Sequence, residues 1–219
     1  MIKAVIFDMD GVIIDSEMKY TELIYQFART KNPAVRIEQL FPIVGSSAQG
    51  TWDIVAQAIQ NGQSWEELRD EYRELDVYRD IDYRELFRPE VRDVFDYLKA
   101  NGIQIALASS TGRPLVNRVL TENEILSYFD MTICGAEVTK KKPDPQIYRK
   151  AADALGRQPS ECLVVEDSTY GVTAGHRAGM TVAAVRDDRF QFDQSLADYH
   201  IDRVLDVIRL LEKLNGKLE

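Results

Sequence analysis

Four clusters of side chains in this 219-residue chain have types and spacings that could do chemistry. Asp8 and Asp10 stand two residues apart, directly after the apolar run Ala4-Val5-Ile6, and Glu166-Asp167 follow a second apolar run, Val164-Val165. A carboxylate costs several kcal/mol to bury unpaired, so acids at the end of a buried strand call for a cation or a polar cleft beside them. Ser109-Ser110-Thr111-Gly112 closes a third run, Ile103 to Ala108. Hydroxyls there could donate to a phosphate oxygen, although strand-to-helix turns are rich in Ser and Thr for conformational reasons too. In Lys140-Lys141-Lys142-Pro143-Asp144-Pro145 the first two lysines read as a solvated charge run. Lys142 differs, because Pro143 restricts its backbone to extended conformations and fixes its direction. Taken singly, each cluster also has an ordinary reading, such as an acidic turn or a helix cap.

The elements that must hold these groups alternate. Pro89 sits where a first helical position belongs and Asn101-Gly102 follows as a stop, which predicts a helix over Glu90 to Ala100. Strands are expected at Ile103 to Ala108, Met131 to Cys134, Cys162 to Val165 and Thr181 to Val185. Helices are expected at Pro114 to about Leu126, Gln146 to Leu155 and Gly171 to Ala178, with a last one carrying Val204, Val207, Ile208, Leu211 and Leu214. Such alternation implies right-handed crossovers and an α/β fold, a parallel sheet with helices on both faces. Between Asp15 and about Phe87 the strand signal stops. Ser16 opens a helix toward Arg29, Gln49 to Ile59 has helical spacing, and Ser64-Trp65-Glu66-Glu67 forms a capping box. The chain therefore reads as an α/β core of residues 1–15 and 88–219 with an inserted helical domain, 16–87.

A net charge of −9 argues against a nucleic-acid partner. No apolar run of membrane-spanning length occurs, and Ile2-Lys3-Ala4 lacks a signal peptide's regions, so a soluble, cytoplasmic protein without a membrane partner is expected. Cys134 and Cys162 lie within apolar strands and read as small hydrophobes rather than as a disulfide, ligands or nucleophiles.

In order along the chain, Asp8-Met9-Asp10-Gly11, Ser109, Lys142-Pro143 and Glu166-Asp167 resemble the four motifs of the haloacid dehalogenase superfamily. Asp15-Ser16-Glu17, Gly45, Ala108-Ser109-Ser110, Lys142-Pro143-Asp144-Pro145 and Glu166-Asp167-Ser168 are similar to its beta-phosphoglucomutase-like branch, and the helical insert to that branch's smaller cap type. The resemblance implies a first strand in the middle of a Rossmann-like sheet. It implies Asp8 as nucleophile toward phosphorus and Asp10 as general acid and base. Mg²⁺ would be held by Asp8, the Asp10 carbonyl and Asp167, with Glu166 binding directly or through water. Ser109 and Lys142 would hold the phosphoryl group, with Ser110, Thr111, Gly112 and Arg113 as further candidates, while Tyr20 and the Gly45-Ser46-Ser47 loop are cap-side candidates.

Tyr20 is equally readable as a core aromatic, Trp52 and Trp65 as packing residues, and the two histidines, His176 and His200, are not needed. The implied activity is hydrolysis of a small phosphorylated metabolite, a sugar phosphate, by a monomer whose partner is that ester. The alternative is a phosphosugar mutase. The mutase pattern brings a histidine on the first cap helix and an arginine after the loop glycine, and Tyr20 and Ala48 stand in those places here.

Overall fold

Ala4–Phe7 forms strand β1 with every side chain buried, as an apolar run must be when helices cover both faces of a parallel sheet. The computed structural model describes residues 1–216, apart from the side chain of Ala48. After β1 come helices α1 (Glu17–Lys31), α2 (Ala48–Ile59), α3 (Trp65–Glu74), α4 (Tyr83–Leu86) and α5 (Glu90–Ala100). Strand β2 (Gln104–Ser109), helix α6 (Arg113–Glu122), strand β3 (Met131–Cys134), helix α7 (Gln146–Leu155), strand β4 (Cys162–Glu166) and helix α8 (Thr169–Arg177) follow. Strands β5 (Thr181–Val185) and β6 (Tyr199–Ile201) and helix α9 (Asp206–Leu214) complete the described chain.

The six strands pair in the order β3-β2-β1-β4-β5-β6, and every pairing is parallel. One face, with Ala4, Ile6, Ala106 and Val164, packs on Ile147, Tyr148 and Ala151 of α7 and Val172 and Ala174 of α8. On β1's other face Phe7 meets Phe95 of α5 edge-on at 5.2 Å. Two compact units are present. One holds Met1–Asp15, Tyr83–Asp187 and Phe192–Glu219; the other holds Ser16–Asp82 and Asp188–Gln191.

The second unit is helical. Its Ser64 hydroxyl accepts from Glu67 N while the Glu67 carboxylate accepts from Ser64 N, so the capping box starts α3. Phe27, Trp52 and Tyr72 form its aromatic core, with Ile24, Leu40, Val55 and Leu68 around them. Beside this core lies a cavity of about 400 Å³ lined by Ile24, Thr51, Trp52, Tyr72, Arg73 and Tyr78, among others.

Three expectations need correction. Helix α6 ends at Glu122 rather than near Leu126 because Glu124 takes a left-handed φ of 53° and the buried Asn123 amide bonds back to Val119 O at 2.9 Å. Helix α9 starts at Asp206, leaving Val204 buried in the preceding turn. Strand β6 was not anticipated: its three residues include the exposed His200, so no apolar run marks it. Among the described residues no helix is long and apolar enough to cross a membrane.

Candidate active site

Strand register decides which acids meet. Phe7 is paired with Leu107 on one side and Val165 on the other. Asp8, the next residue, therefore comes level with Ala108 and Glu166, and its amide donates to Val165 O at 3.0 Å. Strand order reverses at β1, and the carboxyl ends of strands at such a point are where open α/β sheets bind ligands.

Lys142 closes the cluster. Its Nζ donates to Asp8 Oδ1 at 2.6 Å and to Glu166 Oε1 at 2.7 Å, and its side chain is only 6% exposed. The sequence separations are 134 and 24 residues, so only the tertiary fold brings these groups together. Burial alone would push the Lys142 ammonium down, but the Asp8 and Glu166 carboxylates outweigh it and hold the group well above its ordinary range. Burial likewise tends to raise Glu166, yet Lys142 overrides it and Glu166 is held below the usual value. Asp8 goes the other way. Burial lifts its carboxyl to about 7, Lys142 offsets only part of that, and Glu166 and Asp10 add to the rise.

The lift on Asp8 says what is in short supply. The carboxylate oxygens of Asp8, Glu166 and Asp167 lie within 4.8 Å of one another, all buried, Lys142 bonds to the first two of these acids, and Asp10 is close enough to raise Asp8. An all-oxygen donor set carrying excess negative charge fits a hard divalent cation such as Mg²⁺. Two glycines make room for these carboxylates. Gly11 has a φ of +76°, and a Cβ there would overlap the Asp167 carboxylate; a Cβ on Gly171 would overlap that of Glu166.

Asp10 is held from the β2 side. The Thr111 hydroxyl donates to Asp10 Oδ2 at 2.8 Å, while Thr111 N donates to Oγ of the buried Ser109 at 3.0 Å. Thr111 thus orients an acid, a role that its place in a Ser/Thr-rich turn did not reveal. Ser110 is exposed, with its backbone carbonyl packed on Gly135. Arg113 points elsewhere, donating to Glu137 Oε1 at 2.9 Å and Thr132 O at 2.7 Å. Lys141, read as solvated, caps the carbonyls of Gly135 and Val138.

Tyr20 and Gly45 belong to the second unit. Tyr20 stacks edge-on against Tyr78 at 5.3 Å, and Gly45 takes a φ of +72° in the loop before α2. Cys134 and Cys162 are buried free thiols, with burial raising Cys162 to about 11, and His176 and His200 are exposed. The side chain that sequence reasoning missed is Tyr148. Its hydroxyl donates to Glu166 Oε1 at 2.8 Å and its ring lies 4.9 Å from Lys142 Nζ.

Comparison with known proteins agrees with this geometry. The haloacid dehalogenase-like hydrolase profile matches residues 2–179. A phosphorylated carbohydrates phosphatase of Thermotoga maritima is 31% identical over 81% of this chain and 82% of its own. Pyrophosphatase PpaX of Bacillus mycoides is 24% identical over 98% and 99%. The crystal structure of beta-phosphoglucomutase from Clostridium difficile superposes with a TM-score of 0.75 at 24% identity, covering 99% of both chains, a likeness of fold. With that profile covering most of the chain and Asp8, Glu166, Asp167 and Lys142 gathered in one buried cluster, the chain belongs to the haloacid dehalogenase-like hydrolase family.

Proposed function

We propose that this enzyme, a phosphatase of its family, is a Mg²⁺-dependent hydrolase of a small sugar phosphate that works through an aspartyl phosphate on Asp8. The observation that carries this reading is the bridge of Lys142 between Asp8 and Glu166 at 2.6 and 2.7 Å, inside the buried acidic cluster. A phosphate monoester dianion repels an anionic nucleophile and has a poor alkoxide leaving group, so both charge and proton must be managed.

Asp8, the Asp10 carbonyl and Asp167 would hold Mg²⁺, which when bound neutralises phosphoryl oxygens and keeps Asp8 ionised. Lys142 holds Asp8 Oδ1 and fixes the direction of that carboxylate. An Asp8 oxygen bonds to phosphorus as the ester P–O bond breaks, and Asp10 delivers its proton to the departing sugar oxygen. Asp10, now ionised, takes a proton from water as that water attacks phosphorus and the Asp8–phosphorus bond breaks. Thr111 keeps the Asp10 carboxyl turned toward this work through its 2.8 Å hydrogen bond. Ser109 is at the right strand end to meet a phosphoryl oxygen.

Hydrolysis is favoured over mutation for a reason of charge. A mutase holds a bisphosphate by both ends, so a second cationic clamp is needed, and Tyr20 and Ala48 offer none. The substrate class takes support from the Thermotoga maritima relative's name. Phosphate release from sugar monophosphates, measured with Mg²⁺ and after chelation, tests the proposal beside a coupled assay for glucose 6-phosphate from beta-glucose 1-phosphate. Metal-dependent release exceeding isomerisation is expected; isomerisation faster than release would overturn it. Asp167→Asn should raise the Mg²⁺ requirement severalfold, with activity partly recovered at high Mg²⁺, and an unchanged titration would remove Asp167 from the ligand set.

A further inference from the structure

Glu166 is saturated. Oε1 accepts from Lys142 Nζ at 2.7 Å and Tyr148 OH at 2.8 Å; Oε2 accepts from Asp167 N at 2.9 Å and from Ser168 N and Oγ at 3.0 Å. A carboxylate offers about four lone-pair directions, so none is left for a metal without displacing a donor. Of the two donors on Oε1, the Lys142 ammonium is charged and the Tyr148 hydroxyl neutral.

Tyr148 is fully buried on α7, and it touches both members of the ion pair. Its hydroxyl shares Oε1 with the ammonium, and its ring lies 4.9 Å from the same ammonium. A second donor on Oε1 reduces that oxygen's pull on Lys142, and the ring face favours the cation where it stands. The ammonium then keeps its other bond, to Asp8 Oδ1. A phenylalanine would fill the same space; the hydroxyl adds the bond to Glu166 and a polar interaction with the neighbouring Lys142 ammonium.

We propose that Tyr148 is a positioning residue that acts through Glu166, occupying Oε1 so that Lys142 stays on Asp8 and Glu166 stays off the metal. The proposal rests on the phosphatase reading above for its rate effect, and not for its metal effect. Without the hydroxyl, Oε1 draws Lys142 away from Asp8 and has a free lone pair in the acidic cluster. Turnover should fall while Mg²⁺ binds no more weakly, a combination that loosened packing does not produce.

The test uses the full chain and Tyr148→Phe, with circular dichroism to establish that the variant is folded. We expect kcat for a sugar monophosphate to fall about tenfold, with KM within twofold and Mg²⁺ affinity by calorimetry equal to or tighter than the parent's. In a Glu166→Gln background the same substitution should change kcat less than twofold. A kcat within twofold of the parent, a loss matched by weaker Mg²⁺ binding, or additive losses in the double variant would overturn the proposal. A parent that releases no phosphate sinks the reaction assignment instead, and Mg²⁺ affinity alone then decides on Tyr148: weaker binding in the variant counts against it.

Discussion

The two units of this molecule keep their charges in opposite places. In the α/β unit the decisive ion pairs are interior, with Lys142 6%, Asp8 11% and Glu166 0% exposed at the side chain. In the helical unit pairs such as Arg79–Asp76, at 3.0 Å, sit in water at 73% and 62% exposure, and the interior is aromatic. Buried charge is costly, so it persists where strand ends, a glycine cradle and tight hydrogen bonds hold it rigidly. Surface pairs contribute little to stability, and a unit built on aromatic packing is free to change its polar surface without unfolding. This contrast supports the proposed assignment of the chemistry to the first unit.

Four comparisons would break or sharpen that contrast. The largest effect should come from Asp8→Asn, which keeps the shape and loses the proposed nucleophile. Turnover should fall about 10⁴-fold or more while the fold stays intact. Residual turnover within tenfold of the parent, after mass spectrometry has excluded deamidation, would end the covalent mechanism.

Lys142→Ala should be next, now in stability. It strands two buried carboxyls, so a loss of about 3–5 kcal/mol is expected, and a fall in Tm on the order of 10 °C in Mg²⁺-free buffer. Arg79→Ala, on the exposed pair of the helical unit, should leave Tm unchanged within error. Comparable shifts from both would mean that the burial contrast has no energetic meaning.

The third concerns pH. With metal removed, burial lifts Asp8 from 3.8 to about 7, so the folded chain holds this proton more tightly than the unfolded one. The stabilisation from Asp8 is fully present below about pH 4 and is lost as pH rises through 7. Thermal unfolding of parent and Asp8→Asn, followed from pH 4 to 8 in chelator, should show the parent losing ground to the variant by a few degrees. A constant difference would contradict the lift. Calorimetry in buffers of different ionisation enthalpy should also find proton release when Mg²⁺ binds near pH 6.

Ser64→Ala should have the smallest effect. It removes one half of the capping box of α3 and should cost about 1 kcal/mol, seen as a small drop in Tm with phosphate release at saturating substrate unaffected. A larger loss of turnover than of stability would show that α3 does more than build the helical unit.

Much of this was readable along the chain because its causes are local. The apolar run into Asp8, the Pro and Gly that bracket α5 and α7, and the Ser64 box are short-range signals, and the predicted Glu90–Ala100 and Gln146–Leu155 are the helices observed. Strand β6 escaped because three residues at a sheet edge, one of them exposed, carry no periodicity. Tyr148 escaped because its spacing with Ile147, Ala151 and Ala152 is that of an ordinary buried helix face. A tyrosine six residues after Lys142, in the first turn of the helix that Pro145 opens, was the available signal.

What the sequence determined by itself is which acidic, basic and hydroxyl groups stand at the strand ends and the order in which strands deliver them, since residue type and short-range pattern are properties of the chain alone. What only the tertiary structure decided is their pairing. The register that sets Phe7 against Leu107 and Val165 puts Asp8 beside Glu166, and α7, packed on that same sheet, carries Tyr148 to both Glu166 and Lys142. Residues 18 to 134 positions apart can share one carboxylate or one ammonium only when buried packing removes the freedom of everything between them, and no local pattern encodes that.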